Sequence, residues 1–341
     1  MLSFLYFFAR AHSSPSPMNG LCAGLSLGYA IMIRPLTATA IGAPFICEAI
    51  IAVLKKRERA AGKAVLFFTG LSLMAALLLC YNGLTTGHPL RFGYEQKHGT
   101  LGFVGAAQEG PPHTLKGGVV NSSNNLIGLN QYLFEWPIPS LLFVFMFFLI
   151  PGTRDRRDIL LLCASLTLMA AYFFYYYQDY CFGPRFYFCL TPFLILFTVR
   201  GLLQIPAWLE KKQFSRERSR AALCLFLCAC VLWMILFAVP ARVAHYSRDY
   251  WRVTDKIHAA VQERGISNAV VFIDCWESPD AAAPNLLYYG SGFQFNSPDV
   301  DDDVIYVLDL KDRNVELMKA FPGRNYYRCN FFWDPSPEAW R

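Results

Sequence analysis

Long apolar runs broken by clusters of Lys and Arg leave this chain few folds to choose from. Seven such runs fall at approximately residues 18–33, 36–54, 64–81, 137–151, 159–177, 187–204 and 221–240. A helix needs about 20 mostly apolar residues to cross a bilayer. The fourth run is short and draws on its flanks. A further apolar stretch, Met1 to Ala9, is too short to cross and has no basic region before it. It reads as the last turns of a helix whose beginning is absent, and not as a signal peptide. The expectation is an α-helical polytopic membrane protein, with about seven transmembrane helices plus a partial one. Only 16% of the residues are charged, against about 25% in soluble domains.

The charges also set an orientation. Lys55, Lys56, Arg57, Arg59 and Lys63 follow the second run, Arg154, Arg156 and Arg157 the fourth, and Lys211, Lys212, Arg216, Arg218 and Arg220 the sixth. These are alternate loops, so one topology puts every cluster in the cytoplasm. The net charge of +6 therefore reflects topology and excludes nucleic acid as a partner. A loop over residues 82–136 then faces outward, as do the turns at 34–35 and 178–186 and everything after Ala241. Domain limits of 1–241 for the membrane part and 242–341 for a soluble, extracytoplasmic α/β domain follow.

In that tail, Val270 to Ile273 and Val304 to Leu308 are rich in β-branched residues and read as buried strands. Asp255 to Arg264 and Asn314 to Phe321 read as amphipathic helices, the first closed by Gly265. Most of the eleven cysteines lie in apolar runs, where a thiol is a small hydrophobe. Cys275 and Cys329 lie in the tail, either as thiols or, in an oxidising compartment, as a disulfide. The spacing of Cys and His gives no zinc pattern, and no cofactor is expected.

Polar groups near the outer helix ends carry the chemical information. Arg34 precedes Pro35 in a tight turn between two runs and faces a lipid or substrate phosphate, or else snorkels to water. The stretch Tyr81 to Glu95 mixes turn residues and aromatics with Arg91, Tyr94 and Glu95, as a polar-substrate site would. The histidines at 88, 98 and 113 are irregularly spaced and read as solvated loop residues. In the segment Tyr175 to Tyr187, the tyrosines fit an interfacial belt. Asp179 and Arg185, six residues apart in a Gly-Pro turn beside Tyr187, do not. A guanidinium fixed there suits a phosphate, which it grips with two hydrogen bonds. Glu48 is a lone acid inside the second run and is either neutral or paired across helices.

Several of these segments together resemble a family. Gly20 to Ala30 leading to Ile33-Arg34-Pro35-Leu36-Thr37-Ala38 is similar to a helix pair of polytopic glycosyltransferases that use lipid-linked sugars. These include protein O-mannosyltransferases and the lipid A aminoarabinose transferase, of the C-type fold. Thr86-Gly87-His88-Pro89-Leu90-Arg91-Phe92, Asn130 to Pro137 and Gly183-Pro184-Arg185-Phe186-Tyr187 resemble pieces of bacterial relatives. So do Asn268 to Phe272, Asn296 to Asp299 and Phe321 to Tyr327 in the tail. The resemblance implies a multi-pass protein of the bacterial inner membrane that transfers a sugar from a polyprenyl-phosphate donor to an extracytoplasmic acceptor. It also implies that Arg34, Arg91 and Arg185 hold the phosphate. The chain departs from the family in having Cys189 where an acid is usual. The family's catalytic acid lies in an early outer loop that this chain lacks, which implies an incomplete enzyme or a partner subunit supplying the missing helices. A non-catalytic scaffold is the alternative.

Overall fold

The computed structural model describes residues 1–55, 58–93, 95, 112–152, 154–176, 183–247, 250, 253–276, 286–330 and 334–339. The chain divides into two compact units, Met1–Met234 and Ile235–Arg341.

The first unit is helical. Its helices are α1 (Leu2–Ser13), α2 (Met18–Ile33), α3 (Pro35–Leu54), α4 (Glu58–Thr86), α5 (Leu115–Tyr132), α6 (Leu142–Leu149), α7 (Arg156–Phe173), α8 (Thr191–Glu210) and α9 (Arg216–Trp233). A 3-10 turn, Arg185–Leu190, leads into α8. Among the described residues, four helices are long and apolar enough to cross a membrane: Pro35–Leu54, Ala61–Thr86, Arg185–Glu210 and Arg216–Tyr246. The apolar helix Met18–Ile33 is shorter.

Seven full spans therefore do not emerge. The run at 137–151 yields only the eight residues of α6, about 12 Å at 1.5 Å per residue. Pro137 and Pro139 keep the chain before Leu142 out of a helix, and Pro151 follows its end. In α7 the first turn is spent on Arg156, Arg157 and Asp158. There Asp155 accepts from the backbone of Arg157 and Asp158, and Asp158 returns a bond to Asp155 N. This is a reciprocal N-cap. The segment 82–136, expected to be a loop, differs as well. It holds the 18-residue helix α5, capped by Thr114, whose Gly, Asn and Ser content reads as loop.

Glycine sets the closest helix contact. A Cβ on Gly20 would lie 2.2 Å from Lys63 O, on Gly24 2.0 Å from Phe67 O and on Gly28 2.4 Å from Met74 Cβ. The four-residue spacing puts all three glycines on one stripe of α2, so α4 runs parallel to it with backbones almost touching. Between α3 and α7 the contacts are polar and run antiparallel. Thr37 Oγ1 lies 2.5 Å from Tyr172 OH, Thr167 donates to Ala40 O at 2.7 Å, and Arg156 pairs with Glu48 at 2.9 Å. Asp158, buried, pairs with Arg200 of α8.

The last long helix passes from α9 through a π turn, Met234–Ala238, into α10 (Val239–Tyr246). Pro240 has no N–H to offer the carbonyl four residues back, which is how a π turn arises there.

The second unit is an α/β sheet of order β2-β1-β3-β4, built from β1 (Ala269–Asp274), β2 (Val304–Leu308), β3 (Asn325–Asn330) and β4 (Asp334–Ala339). The first three are parallel and β4 is antiparallel to β3. The two expected strands and two expected helices, α11 (Lys256–Glu263) and α13 (Asn314–Ala320), are present. Gly265 takes φ +62 just past α11, the left-handed stop that glycine adopts without strain. The helix α12 (Leu286–Phe293) and strands β3 and β4 are additional. All six residues of β1 are buried. One face, Val271, Ile273 and Cys275, packs with α11, and the other, Val270 and Phe272, packs near Leu317, Met318 and Phe321. Right-handed crossovers account for this, since β2 and β3 flank β1 on opposite sides. From within β3, Arg328 bridges Asp274 at the end of β1 and Asp309 just past β2, at 2.8 Å each.

Candidate functional site

Arg34 ends α2 and begins α3 in one residue. Its backbone, at φ −139 and ψ 82, is pushed out of the helical region by Pro35. The turn is therefore as short as two antiparallel helices allow, and it presents a half-buried guanidinium beside the helix ends. One turn further along α3, Thr37 is buried and shares its hydrogen bond with Tyr172, also buried, near the end of α7. The Tyr172 ring stacks on Phe186, with centroids 4.6 Å apart and planes within 12°. Phe186 belongs to the 3-10 turn that starts at Arg185.

Tyr172 is thus the keystone. It joins the Arg34 turn to the Gly-Pro-Arg turn, which are about 150 residues apart in the chain. The Gly-Pro-Arg turn has its own local logic. Gly183 sits at φ +105, a conformation open mainly to glycine. Arg185 N then bonds Gly183 O at 2.8 Å, and Tyr187 N bonds Pro184 O at 2.9 Å. Tyr187 is fully buried, beside Ser122 of α5 but not in hydrogen-bond geometry with it. Its hydroxyl is buried without a hydrogen-bond partner among the described residues. Arg185 lies at the surface of the turn.

Arg91 is placed differently. It is exposed, and the described contacts that fix its turn run to α4 and within the turn itself. Asn82 donates to Pro89 O at 3.1 Å, and Thr86 Oγ1 faces the carbonyls of Asn82, His88 and Arg91. Glu95 accepts from Phe92 N at 2.9 Å, so it closes the local turn. Tyr94 and Asp179 lie outside the described residues.

Two further expectations change. His113 is buried, not solvated, with Nε2 3.1 Å from Phe173 O. Cys275 and Cys329 share one buried face of the sheet, and no disulfide joins them. Cys329 stands opposite Ile273, so Cys275 is two residues further on, roughly 8 Å away by strand geometry, beyond the span of a disulfide. Among the described residues no cluster of three or more His, Cys, Asp or Glu is arranged to hold a metal.

Sequence reasoning missed Thr37 and Tyr172. The available signal was the i, i+3 spacing that puts Thr37 on the same side of α3 as Arg34. Nothing in the sequence pairs Tyr172 with either. Comparison with known proteins adds no relative: no family model, no curated protein and no solved structure matches the chain.

Proposed function

We propose that this chain is a multi-pass membrane glycosyltransferase component of the C-type kind, which binds the phosphate of a polyprenyl-phosphate sugar donor. The observation that carries the reading is that Thr37, one turn past Arg34, and Phe186, next to Arg185, both meet Tyr172. Two arginines on turns joined through Tyr172 would meet a leaving phosphate in charge and by their paired N–H donors. Tyr172, Thr37 and Phe186 hold the two turns in register. Arg34 and Arg185 are the residues in this role, and Arg91 serves from a separate cap or not at all.

In this reading the chain crosses the bacterial inner membrane about seven times, with the Lys and Arg clusters inside and the α/β domain outside. The four long helices, Met18–Ile33 and the 18 residues of α7 are compatible with crossings, whereas α6, bounded by prolines, is a partial span. When the donor reacts, an acceptor hydroxyl attacks the anomeric carbon and the lipid phosphate departs, its charge met by the arginines. No residue of this chain is assigned the base.

Labelling with a photoreactive polyprenyl phosphate in detergent micelles tests the assignment without needing turnover. Arg34→Ala and Arg185→Ala should each cut labelling by about tenfold, the loss of one charge-assisted contact. Arg91→Ala should change it less. Equal labelling of all three variants and the unaltered protein would remove the phosphate role and favour a scaffold.

A further inference from the structure

The opposite, basic end of the same helices contains a cavity of about 1040 Å³. Its walls come from the C-terminal turn of α1, the start of α2, the end of α3 and the start of α4, with Arg156 of α7 at its edge. We propose that it holds the headgroup of a phospholipid carrying a primary ammonium beside its phosphate, the phosphoethanolamine class.

The argument begins with Glu48. It lines the cavity and is only 7% exposed. Its Oε1 meets His12 Nε2 at 3.1 Å and Arg156 Nη2 at 2.9 Å. Its Oε2 is buried and has no hydrogen-bond partner among the described residues. An unmet carboxylate oxygen inside a protein is costly, so a donor from outside the chain is the natural complement.

The surrounding charges say what else that donor must carry. Lys63 gives two of its N–H groups to Ala11 O and Ser14 O, at 2.7 and 2.6 Å, and has a third to offer. Arg156 is largely exposed, and Lys55 lies seven residues past Glu48 on α3, about 10 Å toward the surface. Among the described residues that line the cavity, Glu48 is the one acid and Lys55, Lys63 and Arg156 are cations, so this lining is positive overall. An isolated amine is therefore disfavoured and one bonded to a phosphate is favoured.

Depth agrees. Glu48 and Lys63 both reach the last turn and cap of α1, through His12 and through Ala11 and Ser14. They stand at one level, as the ammonium and phosphate do in a bilayer, where the vector between them lies nearly in the membrane plane. Phe8, Ala23 and Phe67 provide the apolar wall for the glycerol and first methylenes.

The site rests on insertion in a membrane and not on sugar transfer, because it lies at the end of α3 away from Arg34. The test uses the unaltered protein, purified in detergent and offered phosphatidylethanolamine, its N-methyl and N,N-dimethyl forms, phosphatidylcholine or phosphatidylglycerol, with retained lipid counted by native mass spectrometry. Retention should persist while an N–H remains and fall by about tenfold at the choline lipid, which has none. Glu48→Gln should abolish that preference. Equal retention of the ethanolamine and choline lipids, or stronger retention of phosphatidylglycerol, would overturn the assignment. The headgroup series decides the matter even if the variant fails to fold.

Discussion

The two units of this chain are built inside out relative to each other. In the sheet unit, β1 is buried along its whole length, and both of its faces are covered by apolar side chains. In the helical unit, large apolar residues such as Leu73, Leu77, Leu84 and Leu225 face outward, while Glu48, Asp158, Thr37 and Asn125 are buried. The most apolar window of Arg216–Tyr246 is only 6% buried. Each unit places its apolar atoms against the medium that tolerates them. In water the sheet gains by hiding them. In lipid there is no such gain between helices, so contact comes from small residues and polar pairs.

The sharpest way to break this contrast is to truncate one large side chain in each unit. Phe272→Ala empties a fully buried site in the sheet and should cost about 4 kcal/mol, read as faster amide exchange across β1. Leu225→Ala, on the outward face of α9, should stay within about 0.5 kcal/mol in detergent. A comparable loss at Leu225 would mean that this face is covered.

Overfilling is the next test. In Gly24→Leu the new Cβ meets Phe67 O at 2.0 Å, which forces α2 and α4 apart and should cost about 3 kcal/mol. The yield and melting temperature of the detergent-solubilised protein measure it. A smaller effect should come from the polar contact at the candidate site. A double-mutant cycle of Thr37→Val and Tyr172→Phe should give a coupling of about 1 kcal/mol. It should also weaken donor labelling, since the two arginine-bearing turns lose their register. Zero coupling would mean that the turns are held by packing alone.

Alkaline pH should separate the units most gently. Burial, and then the charges of Asp274, Cys329 and Asp309, push the Cys275 thiol from its ordinary value of 9.0 up to about 12. Tyr306, from 10.0, is pushed to about 12 by burial and then by Cys329. For each, the neutral form is favoured by folding. The stability this provides is complete below the unfolded value and is lost as pH rises through the folded one. The sheet unit should therefore loosen between about pH 9 and 12. Cys275 should resist thiol reagents below that window, as followed by labelling of the intact protein at stepped pH.

Much of this was legible beforehand. The limits of α2, the strands at 270–273 and 304–308, and the stop at Gly265 were readable because each depends on local composition. The helix α5 was not, since its Gly, Asn and Ser residues favour loops until packing against α7 fixes them. Strands β3 and β4 also escaped notice, because Asn325 to Asn330 carries polar residues that only pairing with β1 commits to a sheet. At the candidate site, Arg34 and Arg185 stood out through Pro35 and the Gly-Pro turn. Tyr172, which joins them, lies within an apolar run where nothing local singles it out.

By itself the sequence determined where most of the apolar helices lie, which segments carry the positive charge and where the chain changes from mostly helical apolar runs to the composition of a mixed α/β unit. These are properties of short stretches and of their transfer between media, and they need no partner. Only the tertiary structure decided that the Gly20, Gly24 and Gly28 stripe receives α4, that Glu48 meets Arg156, and that Tyr172 links Thr37 to the 185–190 turn. Such pairings depend on distances between segments far apart in sequence, and the composition of either segment alone carries no information about them.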